Sequence, residues 1–378
     1  MTAEGTPLAN ETPPVVALRD VERELARQMN AAKGPGEAPV QRACMSNFVI
    51  FCDNAEQAQS VSKDLPAIIS IHPARVLLAV GEPGPETNSV TASPSVVHPL
   101  GNRGRHVCAE QVTLRAQGHA VEQLPFALRS LLIGDLPTNL WWATPAPPPL
   151  AGALLYDLAE HAQQLIYDSR GWTDPHRGVA ATASWLSKFE RPPGNVRWRV
   201  ASDLNWRRLK YWRRVLSQAL DPVSAPGATE SITEVLVEHG PHAVTQAWAL
   251  VGWLASRLGW NVQATKVELG LEICWHVVAP SGKLRLRIRR LAEGAPDVRH
   301  ILIACNLAGK PGALDFVVED ERRLAVTPQG GDMSRRTITI QPQPLAEMVG
   351  RQLSDREPDP VFRESMGVAH LFAKSVLS

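Results

Sequence analysis

The chain has 378 residues, 44% of them hydrophobic, enough apolar material for one large core or two. Its formal charge of +1 argues against a dedicated nucleic-acid binder, whose affinity comes from neutralising phosphates. No apolar run approaches the roughly 20 residues that span a bilayer, and residues 1–14 lack the apolar stretch of a signal peptide, so a cytoplasmic location is expected.

Along the chain, Leu18, Val21, Leu25 and Met29 recur at helical spacing. They predict one short helix, packed by that stripe, in an N-terminal tail of residues 1–40. Residues 47–52 (Asn-Phe-Val-Ile-Phe-Cys) predict a strand buried on both faces, and Asp53 or Asn54 caps a helix over 55–69. A strand over 75–80, a Pro/Gly/Ser-rich loop over 81–94, a strand over 107–115 and a helix over 121–133 follow. Pro137 biases Leu136 toward extended backbone, so that helix stops near Asp135. The next strand carries Trp141 and Trp142, whose side chains take opposite faces, both covered. A proline run leads into a helix over 150–161 and a strand over 165–167. This order implies an α/β domain over residues 41–178 with a mostly parallel sheet and flanking helices.

Residues 179–195 read as a linker holding a short helix near 183–189. Beyond it, Ser202 or Asp203 starts a helix to Leu220, a strand covers 232–238, and a helix over 243–258 ends at Gly259. Residues 267–275 alternate apolar and polar side chains and read as one half-buried strand. Residues 283–289 alternate likewise, after a hairpin turn at Ser281-Gly282. Strands over 301–305, 315–319 and 336–340 and helices over 344–353 and 360–377 complete an α+β domain, residues 196–378, with a largely antiparallel sheet.

Catalytic signatures are absent from the sequence: there is no P-loop, G-x-G-x-x-G after a strand, H-E-x-x-H or G-x-S-x-G. No metal site is expected, because His239 and His242 flank a Gly-Pro turn with no third ligand nearby. The five cysteines, without a C-x-x-C, read as reduced and mostly buried thiols, with a redox pair of Cys44 and Cys52 as the alternative. The loop Gly101 to His106 reads as an exposed connection, although Arg103 and Arg105 fit an anion.

His72 and Arg75, between a helix and a strand, are either a partner or anion contact or a solvated turn. Tyr167-Asp168-Ser169-Arg170 ends a parallel strand, a place where open α/β sheets bind ligands, though ordinary loop chemistry also accounts for it. Residues 203–214 interleave aromatic and basic side chains. With Leu209, Trp212, Leu216 and Leu220 on one face they form an amphipathic helix, RNA binding being the rival reading. Lys283, Arg285, Arg287 and Arg289 place four like charges on one strand face. Acidic groups must oppose them, within the fold or on a partner, which makes Arg285 and Arg287 partner-binding candidates.

Five segments together resemble the glucose-6-phosphate dehydrogenase assembly protein family, OpcA. They are Ile71-His72-Pro73-Ala74-Arg75; Asp135-Leu136-Pro137-Thr138-Asn139-Leu140-Trp141-Trp142; Tyr167-Asp168-Ser169; Asp203-Leu204-Asn205-Trp206 with Leu209 and Trp212-Arg213; and Gly252 to Trp260, the last containing Trp253. The resemblance runs in order over roughly residues 45–290. It implies a non-catalytic accessory protein, without cofactor, that binds glucose-6-phosphate dehydrogenase, promotes its oligomeric assembly and activates it allosterically. Photosynthetic members link cysteines to thioredoxin control, and no cysteine pair here matches such a pair. Asp135, Pro137, Trp141, Trp142, Asp168, Ser169, Trp206, Trp212, Arg213, Trp253 and Trp260 are then structural or interface residues. The alternative is a sugar-phosphate-binding enzyme that uses the N-terminal α/β domain with Arg103 and Arg105.

Overall fold

The computed structural model describes residues 13–31, 41–42, 44–85, 89–98, 107–191, 199–269, 272–280, 282–330 and 334–377. The chain divides into two compact units, Met1–Ala143 with Asp157–Ala162, and Thr144–Tyr156 with Gln163–Ser378. Among the described residues no helix is long and apolar enough to cross a membrane.

The first unit contains α1 (Val21–Ala31), β1 (Gln41–Arg42), β2 (Asn47–Cys52), α2 (Ala55–Ile71), β3 (Arg75–Glu82), β4 (Thr91–Val97), β5 (Val107–Gln117), α3 (Leu124–Leu131) and β6 (Thr138–Trp142). Its strands lie in the order β1-β5-β3-β2-β6, all parallel, and β4 adds antiparallel to β5. Every residue of β2 and β6 is buried, as a parallel strand covered on both faces requires. Asn54 caps α2, its side chain accepting from Gln57 N at 2.8 Å. The predicted loop over 81–94 is partly strand: β4 is an edge, where Pro94 costs no ladder bond. The helix predicted in the tail packs on that edge strand through buried Val21 and Leu25, and Gln28 Nε2 donates to Pro94 O at 3.1 Å. Before α3 the chain runs through a 3₁₀ turn, Gly118–Gln123, so the predicted helix there starts later.

In place of one helix over 150–161 there are a 3₁₀ turn, Pro148–Leu150, and α4 (Ala153–Leu158), separated by Gly152 at φ +71°. The second unit then holds β7 (Gln164–Tyr167), α5 (Pro175–Glu190), β8 (Val200–Asp203), α6 (Leu204–Arg208), α7 (Lys210–Ala219), β9 (Glu234–His239) and α8 (Val244–Leu258). It continues with β10 (Asn261–Leu269), β11 (Glu272–Ala279), β12 (Gly282–Arg290), β13 (Val298–Leu307), β14 (Lys310–Asp320), β15 (Arg323–Gln329), β16 (Arg336–Thr339), α9 (Leu345–Gln352) and α10 (Pro360–Leu377). A parallel pair, β7 with β8, and an eight-stranded sheet in the order β10-β11-β12-β9-β13-β14-β15-β16 form its framework. Only β9 and β12 run parallel in that sheet.

Two expectations are corrected in this unit. The short helix expected near 183–189 is the longer α5, with Asp174 as its cap and Pro175 in the first turn, burying Val179, Trp185, Leu186 and Phe189. Its punctuating residues are helix signals: proline suits N1, and a Cβ at Gly178 would lie 2.6 Å from the Trp172 ring. The alternating run over 267–275 is two strands, since Val267 pairs with Trp275 and Leu269 with Ile273 in an antiparallel hairpin. The predicted hairpin after it pairs β11 with β12, but Gly282, expected in the turn, opens β12 opposite Ala279, and Ser281 lies outside the described residues.

One face of the large sheet is apolar, with Val235, Val237, Trp275, Leu286, Ile301 and Phe316 buried, and it packs against α8 and α10. Trp275 meets the Phe372 ring edge-on at 5.4 Å and donates to Ser375 Oγ at 2.9 Å. Gly259, at φ +66°, ends α8 as predicted.

Candidate functional site

Polar groups converge where β7 and β8 end. Tyr167 pairs with Asp203 across the parallel strands, so the loop after β7 and the start of α6 leave side by side. The Asp203 carboxylate accepts from Ser169 N at 3.0 Å and Asn205 N at 2.9 Å. Asn205 Nδ2 donates to Ser169 Oγ and Thr245 Oγ1, and Thr245 Oγ1 donates to Ser169 O at 2.8 Å. Gln246 extends the chain: its Nε2 donates to Asn205 Oδ1 and Asp297 Oδ1, and its Oε1 accepts from Val298 N at 2.6 Å. Beside this network Arg208 grips Asp168 with two bonds of 2.7 Å.

Burial pushes the Asp203 carboxyl up to about 7, helped by the nearby Asp168 charge and opposed by the donors from Ser169 and Asn205. Each of these buried groups has partners, so the assembly acts as a lock joining the β7 loop, α6, α8 and the start of β13. Asp168 and Ser169 belong to that lock.

The aromatic and basic residues after Asp203 separate by face. Trp206 and Trp212 are buried. Trp206 Nε1 donates to Asp359 Oδ2 at 2.8 Å, and the Arg213 guanidinium stacks 3.5 Å above the Trp206 ring while donating to Trp206 O at 3.0 Å. Rings held this way offer no open face for a base to stack on. Lys210 and Arg214 remain exposed on the outer side of α7.

The Arg-rich face of β12 finds its acidic counterpart within the fold. Arg287 binds Glu272 through two bonds of 2.7 and 2.9 Å and Glu234 through a third of 2.7 Å. Arg285 donates to the other Glu234 oxygen at 2.6 Å, and Arg289 bridges Glu272 and Glu238 at 3.0 and 2.9 Å. His300 continues the row, with Nδ1 2.7 Å from Glu238 and Nε2 2.7 Å from Asp315. The hydrogen bonds from Arg287 hold the Glu272 carboxyl below its usual range. The result is an ion-pair lattice across β11, β12, β9, β13 and β14. Arg287 sits inside it at 19% exposure, and Arg285 stands at its surface at 51%.

His72 and Arg75 face inward, which corrects the reading of them as an exposed contact. His72 is 2% exposed, with Nε2 2.9 Å from Ser46 Oγ. Arg75 is 4% exposed, ion-paired with Glu22 of α1 and 3.9 Å from Glu110 of β5. It ties α1 to the sheet. His239 is buried with Nδ1 2.7 Å from Gly240 O, and among the described residues no group of three or more His, Cys, Asp or Glu is placed to hold a metal ion. All five cysteines are free thiols, and burial pushes Cys52 up to about 12. Arg103 and Arg105 lie outside the described residues.

Two family models match in order. The glucose-6-phosphate dehydrogenase subunit N-terminal domain (OpcA assembly family) covers residues 66–184, and the C-terminal domain of the same subunit covers 199–366. The chain belongs to the OpcA family. It is 31% identical to an OxPP cycle protein OpcA of Nostoc punctiforme over 318 residues, 80% of this chain and 65% of that one. It is 30% identical to a Synechocystis protein of the same description over 167 residues, 44% of this chain and 32% of that one. A match to a Synechococcus elongatus OpcA covers 46% of that protein, so the chain spans about a third to two thirds of the curated relatives it matches. The transcriptional regulator Gal80p of Kluyveromyces lactis aligns over 89% of this chain and 93% of its own, at 10% identity and a TM-score of 0.47.

The remaining OpcA motif residues are mostly interior. Trp141 and Trp142 take opposite faces of β6 as predicted, stacked on Phe48 at 6.2 Å and Phe51 at 4.7 Å. Asp135 is exposed, and Pro137 O accepts from Asn47 N at 2.8 Å. Trp253 and Trp260 are buried at α8 and just beyond it.

Asn47 escaped the sequence reading. Its side chain clamps the turn before β6, donating to Ile133 O and Leu136 O and accepting from Ile133 N at 2.9 Å. The available signal was a polar residue opening an otherwise apolar strand. Thr245 and Gln246 were missed likewise, although they are a polar pair at the head of an apolar helix.

Proposed function

We propose that this chain is a non-catalytic, cytoplasmic accessory protein that binds glucose-6-phosphate dehydrogenase, promotes its oligomeric assembly and activates it allosterically in the oxidative pentose phosphate pathway. One observation carries the reading: the two halves of one dehydrogenase-associated family match in order, over 66–184 and 199–366. The Asp203 network, with its buried polar groups hydrogen-bonded to one another, supports a role in building a stable surface. An activator works by binding the active or assembled state of its target more tightly than the alternative. A tenfold gain in the enzyme's apparent substrate affinity needs about 1.4 kcal/mol of coupling, which one modest interface supplies.

The docking surface we assign is the open face of the large sheet around Arg285, with exposed His276, Val278 and Lys283 beside it. Its ion pairs are satisfied internally, so a partner meets a neutral, pre-ordered lattice and adds hydrogen bonds without desolvating lone charges. Size-exclusion chromatography with the purified dehydrogenase tests the function: co-elution as a larger species is expected, and separate elution with unchanged activity contradicts it. Arg285→Glu tests the surface. It leaves Glu234 paired with Arg287, and an about tenfold weaker complex is expected. Full binding by this variant would move the docking surface elsewhere.

A further inference from the structure

The second unit carries a cleft of about 750 Å³ that borders the motif network at Arg208, Asp297 and Val298 and opens away from it. The first turn of α7, the start of β13, the end of β14, and β16 with the segment after it form its walls. Six cations line it, Arg170, Arg207, Arg208, Lys210, Arg214 and Arg299, against three carboxylates, Asp297, Asp320 and Glu321.

The pairing is uneven. Arg208 is neutralised by Asp168 and Arg207 by Asp355, and Arg170 lies 3.8 Å from Asp297. Asp320 is taken up by Arg323 at 2.7 Å. Lys210 and Arg214 make no ion pair among the described residues, and Arg299 donates to the Val318 carbonyl alone. Lys210 and Arg214 stand one turn apart on α7, where like charges repel and destabilise a helix. An anion between them turns that repulsion into attraction.

Other features narrow the ligand. Tyr211, at the same wall, is held in its protonated form by burial and by Asp297, so its hydroxyl can donate. Val215, Val298, Ile340 and Met348 give the cleft an apolar side. Gln343 lines it with an Oε1 that accepts no hydrogen bond, a place for a ligand hydroxyl or amine. A single inorganic ion is too small for this volume, which falls in the range of clefts that enclose metabolites. Set against Glu321, which makes no ion pair among the described residues, Lys210, Arg214 and Arg299 leave an excess of about two positive charges, the match for a phosphate ester at neutral pH.

We propose that this cleft binds a phosphorylated metabolite, a nucleotide or a sugar phosphate, with its phosphate on Lys210, Arg214 and Arg299 and its remaining body along the apolar wall. The site gives an accessory protein a way to register metabolite supply.

The test is isothermal titration of the full chain alone with ATP, glucose 6-phosphate and pyrophosphate at about 0.1 M salt. Because no dehydrogenase is present, its outcome is independent of the proposed function. At least one of ATP and glucose 6-phosphate is expected to bind below about 1 mM, and tighter binding of one over the other identifies the nucleotide or the sugar phosphate. The double variant Lys210→Gln, Arg214→Gln should weaken it about tenfold or more with no loss of Tm, because neither side chain holds the fold together and their mutual repulsion is relieved. Arg299→Gln, made separately, should do the same. Absence of binding by both metabolites, or undiminished binding in both variants, overturns the proposal.

Discussion

Asp203 has both oxygens enclosed, near the charge of Asp168, and burial raises it to about 7 against an ordinary value of about 3.9. A carboxyl raised on folding binds its proton more tightly in the native state, so it favours folding at low pH. That contribution is complete below about pH 4 and is lost as pH rises through about 7. Asp203→Asn keeps an oxygen to accept from Ser169 N and Asn205 N and removes the titration. Thermal denaturation from pH 5 to 8 should show the wild type losing stability toward pH 8, on the order of a few kcal/mol, and the variant nearly flat. Equal destabilisation of the variant at both ends would mean that the carboxylate itself is required. At this scale the sequence marked the right neighbourhood and not the partners. Asp203, Asn205 and Trp206 were visible as one segment, whereas Thr245, Gln246 and Asp297 reach them only through the fold. Arg75 looked like a solvated turn residue because Glu22, 53 positions earlier, carries no local signal.

At the scale of elements, apolar patterning was informative: β2, read from a continuous apolar run, and α8, α10 and β12 lie where the pattern put them. It failed where a pattern survives a change of direction. Antiparallel partners keep side chains in phase, so alternation over 267–275 continued unbroken through the β10–β11 hairpin. Proline and glycine also mislead, since Pro175 and Gly178 open helix α5 and Pro94 sits in an edge strand.

Glycine at Gly252 serves packing: a Cβ there would lie 2.3 Å from Ser365 O and 2.9 Å from Ala369 Cβ, where α8 and α10 meet. Gly252→Ala should cost about 1–3 kcal/mol, read as a lower denaturation midpoint, and an unchanged midpoint would contradict so close a contact. In the lattice, Arg287→Ala should cost about 1–2 kcal/mol, because the half-buried guanidinium serves two carboxylates. Arg285→Ala should cost under about 0.5 kcal/mol at its exposed position. Urea denaturation of the two variants compares them directly, and equal costs would contradict a lattice centred on Arg287.

For the whole molecule, the order of elements predicted a mostly parallel N-terminal sheet and a largely antiparallel C-terminal one, and both are present. By its contacts the chain divides after Ala143, with α5 and the β7–β8 pair grouped in the second unit. Composition had no means of showing this, since helix α5 carries the polar, Gly/Pro-punctuated texture of a connector. The function rests on the family and on a surface built to be stable without a partner. Its most direct measurement is a glucose 6-phosphate saturation curve of the dehydrogenase from the same cell, with and without an equimolar amount of this chain. A lower half-saturation or a higher maximal rate, together with a larger enzyme oligomer, is the predicted result; unchanged kinetics and an unchanged oligomer would contradict the accessory role.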